Sequence, residues 1–547
     1  MKEDLQKILR GDVVDDAKEI ADHSHDASLL RVTPKLVVFP KDTKDMETLV
    51  KYVTLHKKED PTLSITARAA GSDMTGGPLN ESIIADVTRY FKKEVVDLEN
   101  LSAIVEPGVF YRDFELDTLP KHISFPVYPA SKQLAALGGM IMNNSAGERT
   151  LRYGQTRDFV QELKMVLSDG NEYDVKPLTK VELDAKIAQD DFEGNLYKKT
   201  YELIEANYEL IKNAKPKVSK NSSGYALWRI WDKEKGIFDL TQLFVGSQGT
   251  LGLLTEAKIR LVKEKTQKKM IVAFFKSWNQ LPAVVNAVLP YQPESMETFD
   301  SATMLLGMRF MPEIAKKAHM SFLKFAAQFL PETLIGIKML GLPKLIVLIE
   351  LTEDDQAILK EKIEAIHTKL KEFPGVESEV LHNEQEEEKF WIMRRESFNL
   401  LRQHVRGKRT APFIEDFCVL PEKMPEFLPK LLAILKKHQI KANIAGHAGD
   451  GNYHIIPLME FKKESERAKI TPVSDEVFAL IKEYGGTITA EHNDGIIRTP
   501  YVEEMFGTEV YGLFKEVKQI FDPQNIFNPG KKVGGTIEYM NAHIAKE

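Results

Sequence analysis

The chain has 547 residues, 43% apolar and 28% charged, a length that calls for two or three cores and a composition that excludes disorder. Its formal net charge of −7, from 74 basic and 81 acidic residues, excludes a nucleic-acid polyanion as principal partner. A single cysteine, Cys418, excludes an internal disulfide and an iron–sulfur cluster carried by this chain alone, which needs about four thiolates. The acidic start Met1-Lys2-Glu3-Asp4 lacks the apolar core of a secretion signal, and no charge-free stretch of about 18 apolar residues occurs. A cytoplasmic protein is expected.

In chain order, residues 1–30 read as a polar helical segment marked by Leu5, Ile8 and Leu9. From Leu36 the texture changes to short β-branched runs punctuated by glycine: Leu63–Thr66, Ile83–Val87, Ile104–Pro107, Val160–Leu167 and Ala257–Leu261. They alternate with helical stretches such as Lys44–His56, so a mixed α+β region is expected over 31–265. A second mixed region, 266–500, has helix faces at Leu359, Ile363, Ile366 and Leu370 and at Met424, Phe427, Leu428, Leu431 and Leu435. Val347–Leu351 and Ala442–Ala445 are its candidate strands. Thr471–Tyr484 reads as a helix stopped by Gly485-Gly486. Residues 501–547 form a helix and a turn-rich tail that must return to the first region. Residues 303–346 are rich in Met, Leu, Phe and Ile with several lysines, and two readings stay open. Either they sit on anionic lipid at the inner face of a membrane, or they are helices capping the domain.

Three glycine-rich turns mark the first half. Arg68-Ala69-Ala70-Gly71-Ser72-Asp73-Met74-Thr75-Gly76-Gly77 follows a candidate strand, and its small residues allow consecutive N–H groups to converge on a pyrophosphate. Pro129-Ala130-Ser131 leads into Gly138-Gly139 and Asn143-Asn144, then Tyr153-Gly154. Gly246-Ser247-Gln248-Gly249-Thr250-Leu251-Gly252-Leu253-Leu254 is the third. Together they suit a long ligand wrapped by backbone amides. In the second half, Gly446-His447-Ala448-Gly449-Asp450-Gly451-Asn452-Tyr453-His454 is followed by Glu491-His492. Imidazole and carboxylate ligands suit zinc, manganese or iron, and His447, His454 and Glu491 supply three, with His492 left as a base. The two histidines are seven apart, so on an unbroken strand they would face opposite ways. Gly449-Asp450-Gly451 can bulge or turn to bring them together.

These motifs resemble those of the FAD-linked oxidases and dehydrogenases of the vanillyl-alcohol-oxidase type, the group of the D-lactate, glycolate and D-2-hydroxyglutarate dehydrogenases. The resemblance extends over nearly the whole chain and ends on Asn528-Pro529-Gly530. It implies a two-subdomain FAD-binding domain of the PCMH type followed by an α+β FAD-linked oxidase C-terminal domain. It implies further that Ala69–Gly77, with Arg68, bind the pyrophosphate. Pro129, Ser131, Gly138, Gly139, Asn144 and Tyr153 would line the flavin, and Gly249, Thr250, Gly252 and Leu254 the adenosine side, with Asn528 a further cofactor-binding residue. Ala69 and Ala70 stand where glycines are usual. Ser72 occupies the place of the flavin-linking histidine of covalent relatives, so non-covalent FAD is implied. His447, His454 and Glu491 would hold zinc or manganese, His492 would be the base, and Arg394 in Trp391-Ile392-Met393-Arg394 would take the substrate carboxylate. Ile456 and Ile414 replace an asparagine and a lysine of the family pattern, favouring a monocarboxylate over a dicarboxylate. Asn493-Asp494-Gly495 replaces a Gly-x-Gly element and would orient the base differently.

The implied activity is oxidation of a small, D-lactate-like 2-hydroxy acid, with electrons passed to an external acceptor: a quinone, an electron-transfer protein, an iron–sulfur subunit or oxygen. A homo-oligomer is expected. The alternatives are a non-redox enzyme like the alkyl-glycerone-phosphate synthases and a non-catalytic flavoprotein subunit.

Overall fold

The computed structural model describes residues 1–309, 312–313, 339, 341–404 and 407–546, and holds three sheets that account for the glycine-rich turns and the histidines. The first has the order Asp12–Val14, Leu36–Phe39, Ile83–Asp86, Ile65–Arg68. Its last three strands are parallel, and Leu36–Phe39 and Ile83–Asp86 are buried along their whole length, as strands covered on both faces must be. The crossover is helix Thr43–His56, capped by Asp42 and pressed on the sheet through Met46, Leu49, Val50 and Val53. Residues 1–30 are not one helical segment. Helices Lys2–Ile8 and Ala17–His23 flank the strand Asp12–Val14. A Cβ at Gly11 would lie 2.0 Å from Phe39 O, and the Asp45 carboxylate accepts the N–H groups of Arg10, Gly11 and Lys41. That pinned close approach turns the chain into the sheet.

The second sheet is antiparallel, in the order Glu94–Asp97, Ser102–Val105, Leu253–Arg260, Val160–Val166, Glu172–Val175. Helix Thr508–Phe521 shares its core through Phe514, Val517 and Phe521. The tail beyond it returns to the first sheet, where Ile65 N donates to Ile526 O and Asn528 N to Ile65 O.

The third sheet has eight strands. Its path runs Val376–Val380, Gln267–Phe275, Leu345–Glu353, Ser295–Asp300, Ala442–His447, Asn452–Met459, Arg409–Thr410, and Phe417–Cys418 also pairs with Asn452–Met459. Along Gln267–Phe275 the two-residue period is plain. Ile271, Ala273 and Phe275 enter the core with helices Leu281–Val288, Gln356–Leu370, Met424–Lys437 and Ile470–Glu483. Met270, Val272 and Phe274 enter the opposite one, beside Phe390 and Trp391 of helix Glu384–His404. Most of 303–346 lies outside the described residues, so neither reading of it meets a structural answer. Among the described residues no helix is long and apolar enough to cross a membrane.

Candidate active site

The turns of the first half converge. Asn143 Nδ2 donates to Asp73 Oδ1, Gln248 Nε2 to Asn143 Oδ1, and Asn528 Nδ2 to both Gly77 O and Gln248 O. Asn528 Oδ1 accepts from Thr66 Oγ1 at the strand below. The left-handed backbone positions of the first loop fall on Gly71 (φ 65°) and Gly76 (φ 82°), so Ala69 and Ala70 sit there without strain. Gly139 faces Ala69 across the groove, where its Cβ would be 3.4 Å from that of Ala69.

The donors of the first loop are unequal. Among the described residues, no acceptor faces the N–H groups of Ala70, Gly71 and Ser72, which lie half-buried. Those are free donors of the kind a pyrophosphate needs. The N–H groups of Thr75 and Gly77 are taken by Asp73 Oδ2, and that of Gly76 by Asp26 Oδ2. Arg68 turns away, donating to His25 O. Within the run Arg68–Gly77, the N–H groups without an acceptor thus lie in its middle, among the described residues. Met74 is half-buried beside it.

Pro129, Ser131 and Tyr153 are half-buried, with the Arg149 guanidinium 5.0 Å from the Tyr153 ring centre. Gly138 is packed on Pro107. Asn144 is spent on the framework, its Oδ1 accepting Arg157 N and its Nδ2 donating to Ser222 Oγ. In the third turn Gly249 takes φ 67°, Thr250 Oγ1 donates to Ser247 O, Gly252 lies against Val166 and Leu167, and the Leu254 side chain is in the core.

The histidines come together through a hairpin. Strands Ala442–His447 and Asn452–Met459 pair with His447 opposite Asn452 and Ala445 opposite His454. Opposed residues point to one face, so the four-residue turn 448–451 places both imidazoles on the same side despite their odd spacing. Gly451 makes the turn, with φ 70° and a would-be Cβ 2.0 Å from Val419 O. Glu491 and His492 lie on an irregular segment held by Asp416, whose Oδ2 accepts the N–H groups of Ala490, Glu491 and His492 and the hydroxyl of Thr489.

The result is a tight cluster. Ligand atoms of His447, His454 and Glu491 lie within 4.8 Å of one another. Glu491 Oε1 is 3.3 Å from each of His447 Nε2 and His454 Nε2, and 3.8 Å from His492 Nε2. The outward nitrogens are committed to buried acids: His447 Nδ1 donates to Glu297 (2.5 Å), His454 Nδ1 to Glu415 (3.3 Å) and His492 Nδ1 to Glu415 (2.8 Å). Carboxylates behind two imidazoles whose Nε2 atoms converge form the support that a metal-binding histidine requires. Cross-strand pairing explains the first contact, since Glu297 stands opposite His447. Glu415, Asp416 and a second group, Lys220, were not singled out from the sequence. Lys220 is fully buried, 3.1 Å from Glu491 Oε2 and 3.5 Å from Asp450 Oδ2.

Charge follows from this packing. Burial works against the charge of His492, but Glu415 and Asp416 outweigh it and raise its pKa to about 10. Burial is likewise overcome at His454, raised to about 8 by its bonds to Glu415 and Glu491. Burial would push Glu297 up, yet Arg394 and His447 hold it at about 2. Glu491 is held well below the carboxylate range, against burial, by Lys220 and His447. Around the imidazoles, among the described residues, five buried carboxylates (Glu297, Glu415, Asp416, Asp450, Glu491) face three buried cations (Lys220, Arg394, Arg498). Protonated His454 and His492, whose pKa values are raised, supply the two remaining positive charges.

Arg394 lies against Glu297. Its Nη2 is 2.5 Å from Glu297 Oε2, so one arm of the guanidinium neutralises the acid behind His447. A carboxylate with no exposed surface requires such a counter-charge. Asn493 adopts φ 70° and donates to Asn143 O and Gly246 O, while Asp494 accepts from Ser223, Gly224 and Lys532. The segment that carries Glu491 and His492 is thereby tied to the first half.

Two family descriptions match the chain: FAD binding domain over residues 34–176, and FAD linked oxidases, C-terminal domain, over residues 264–532. D-2-hydroxyglutarate dehydrogenase of Escherichia coli (strain K12) is 28% identical over 538 residues, covering 96% of this chain and 51% of that protein. The chain therefore spans about half the length of the first curated relatives it matches. Glycolate oxidase subunit GlcD of Bacillus subtilis (strain 168) is 28% identical over 93% of this chain and 91% of its own. Among solved structures, p-cresol methylhydroxylase superposes with a TM-score of 0.67 at 15% identity, covering 98% of this chain and 96% of that one. Alkyldihydroxyacetonephosphate synthase gives 0.66 at 14%, covering 95% and 83%. At these identities the structural likeness is one of fold.

Proposed function

The chain belongs to the FAD-linked oxidase family, and on that premise we propose that it is an FAD-dependent dehydrogenase oxidising a small 2-hydroxy acid to the 2-oxo acid. The observation that carries the reading is the convergence of His447 Nε2, His454 Nε2 and Glu491 Oε1, with His492 Nε2 3.8 Å from that oxygen. Relatives named for D-2-hydroxyglutarate and glycolate support a 2-hydroxy acid as the substrate class. When bound, FAD supplies the two-electron acceptor for the C2 hydrogen, and a divalent cation, zinc or manganese, supplies Lewis-acid polarisation of the 2-hydroxyl.

The remaining work belongs to side chains. His447, His454 and Glu491 hold the cation, and the N–H groups of Ala70–Ser72 hold the FAD pyrophosphate. Once cation binding has expelled the proton from its Nε2, His492, its Nδ1 pinned by Glu415, takes the hydroxyl proton there. Glu415, itself paired to Arg498 at 2.6 Å, stabilises the imidazolium that results. Asp416 keeps His492 and Glu491 in register by gripping their backbone. Electrons leave to an external acceptor: a quinone, an electron-transfer protein or an iron–sulfur subunit.

The test is anaerobic titration of the FAD-loaded protein with D- and L-2-hydroxy acids, before and after chelation. Flavin bleaching by one enantiomer, abolished by chelation and restored by zinc or manganese, is expected. His492→Ala should keep FAD and cation but lose flavin reduction, whereas His447→Ala should lose cation and reduction together. Reduction of His492→Ala at the normal rate would show that another group is the base.

A further inference from the structure

Residues 219–224, in the connection between helices Tyr208–Asn213 and Thr241–Phe244, form the wall on which the base-bearing segment is built. Ser222 N donates to Thr489 O and its Oγ to Ala490 O, and Thr487 Oγ1 donates to Asn221 Oδ1. Into the cluster this wall sends Lys220. Its Nζ is 3.1 Å from Glu491 Oε2, 3.5 Å from Asp450 Oδ2, 3.4 Å from Asn452 Oδ1 and 3.3 Å from Gly147 O. With 0% exposure the ammonium has no water, and these acceptors replace it.

The two oxygens of Glu491 are therefore divided: Oε2 belongs to Lys220, and Oε1 faces His447 and His454. A carboxylate free to rotate can offer a cation both oxygens, whereas one gripped by a charged donor offers a single oxygen in a fixed direction. We propose that Lys220 is a positioning residue for the cation centre, making Glu491 a one-oxygen ligand and so keeping coordination positions open for substrate. The assignment rests on the cation reading above. It adds to that reading a residue contributed by the FAD-binding half.

The experiment compares full-length, FAD-loaded wild type with Lys220→Met, which keeps bulk and removes charge. Cobalt(II) affinity is read by calorimetry, and coordination by cobalt difference absorbance beyond the flavin bands. Lys220→Met should change cobalt affinity by about 10–100-fold, with altered cobalt bands as Glu491 turns to present both oxygens. In a Glu491→Gln background, Lys220→Met should change affinity no further. If Lys220→Met does not fold, the cation-loaded crystal structure of the wild type decides. Nζ should remain on Oε2 with Oε1 on the metal, and a two-oxygen Glu491 with Lys220 turned away overturns the proposal. Equal affinity and equal spectra in wild type and Lys220→Met overturn it as well, leaving the cation reading intact. Absence of any cobalt binding by wild type overturns both.

Discussion

Cation binding should expel protons, because in the cation-free protein His454 stands at about 8 and His492 at about 10. A cation takes an imidazole nitrogen only in its neutral form. Below about pH 8, removing the proton of His454 costs about 1.4 kcal/mol per pH unit. Both pKa values are raised, so the protonated forms prevail at neutral pH and affinity must rise with pH. Between about pH 6 and 8 the His454 proton alone accounts for a gain of about 50-fold. A second proton leaves if the cation also neutralises His492, whose Nε2 is 3.8 Å from Glu491 Oε1. Without cation, the same two protons stabilise the fold below the ordinary imidazole pKa of about 6.5, and that stabilisation fades as pH rises through about 8 and then about 10. Calorimetric titration with zinc or manganese in two buffers of different ionisation enthalpy counts the protons. One to two released per cation near pH 7 is expected. An affinity that is flat from about pH 6 to 8, with no proton released, would mean that the cation does not use His454.

Three substitutions probe the supports separately. Glu415→Gln leaves the buried Arg498 unpaired and frees Nδ1 of His492, so stability should fall by about 3–5 kcal/mol and flavin reduction by about 10²–10⁴-fold with FAD retained; denaturant unfolding and stopped-flow absorbance read the two. Gly451→Ala drives a methyl into Val419 O at a left-handed position, so the hairpin should open and cation affinity collapse while FAD content stays at the wild-type level. Asn528→Ala removes three hydrogen bonds that join Thr66, Gly77 and Gln248, about 2–4 kcal/mol in all. It should appear as weakened FAD retention on gel filtration, with cation affinity unchanged.

The parts of the site written as a compact glycine-and-histidine pattern were legible in the sequence, and the parts supplied by distant strands were not. His447, His454 and Glu491 could be grouped from spacing, but their shared face depends on a turn of four residues, a parity that the spacing alone leaves open. Glu415 and Asp416 did carry a signal. Two acids inside the apolar run from Ala411 to Leu420 must be buried, and buried acids require partners. Lys220 carried none, because it sits among Lys215, Lys217 and serines in a stretch that reads as a solvated loop. Glu297 reaches His447 only because its strand lies beside that of the hairpin, a pairing across 150 residues. At the N-terminus, Gly11 interrupts the helical pattern, and the strand after it became visible only with Leu36–Phe39 alongside.

Arg394 shows how such pairing changes the meaning of a residue. A guanidinium reserved for substrate would be uncompensated in the resting protein, and its removal would raise KM while leaving the fold as stable or more so. Arg394 instead neutralises Glu297, a carboxylate with no exposure that also receives the Nδ1 proton of His447. Truncation to alanine leaves that acid with His447 and no fixed cation in contact, and breaking a buried pair in this way costs about 3–5 kcal/mol. The substrate-free, cation-free Arg394→Ala protein should therefore unfold at lower denaturant concentration than wild type, and Glu297→Gln in the same background should recover part of the loss by removing the stranded charge. Arg394 also has an Nε that is buried without a hydrogen-bond partner, so one donor of the fork remains for a substrate oxygen once the other is committed. A raised KM is expected alongside the lost stability. Unchanged stability in Arg394→Ala would return the residue to substrate binding alone and separate it from the support of His447.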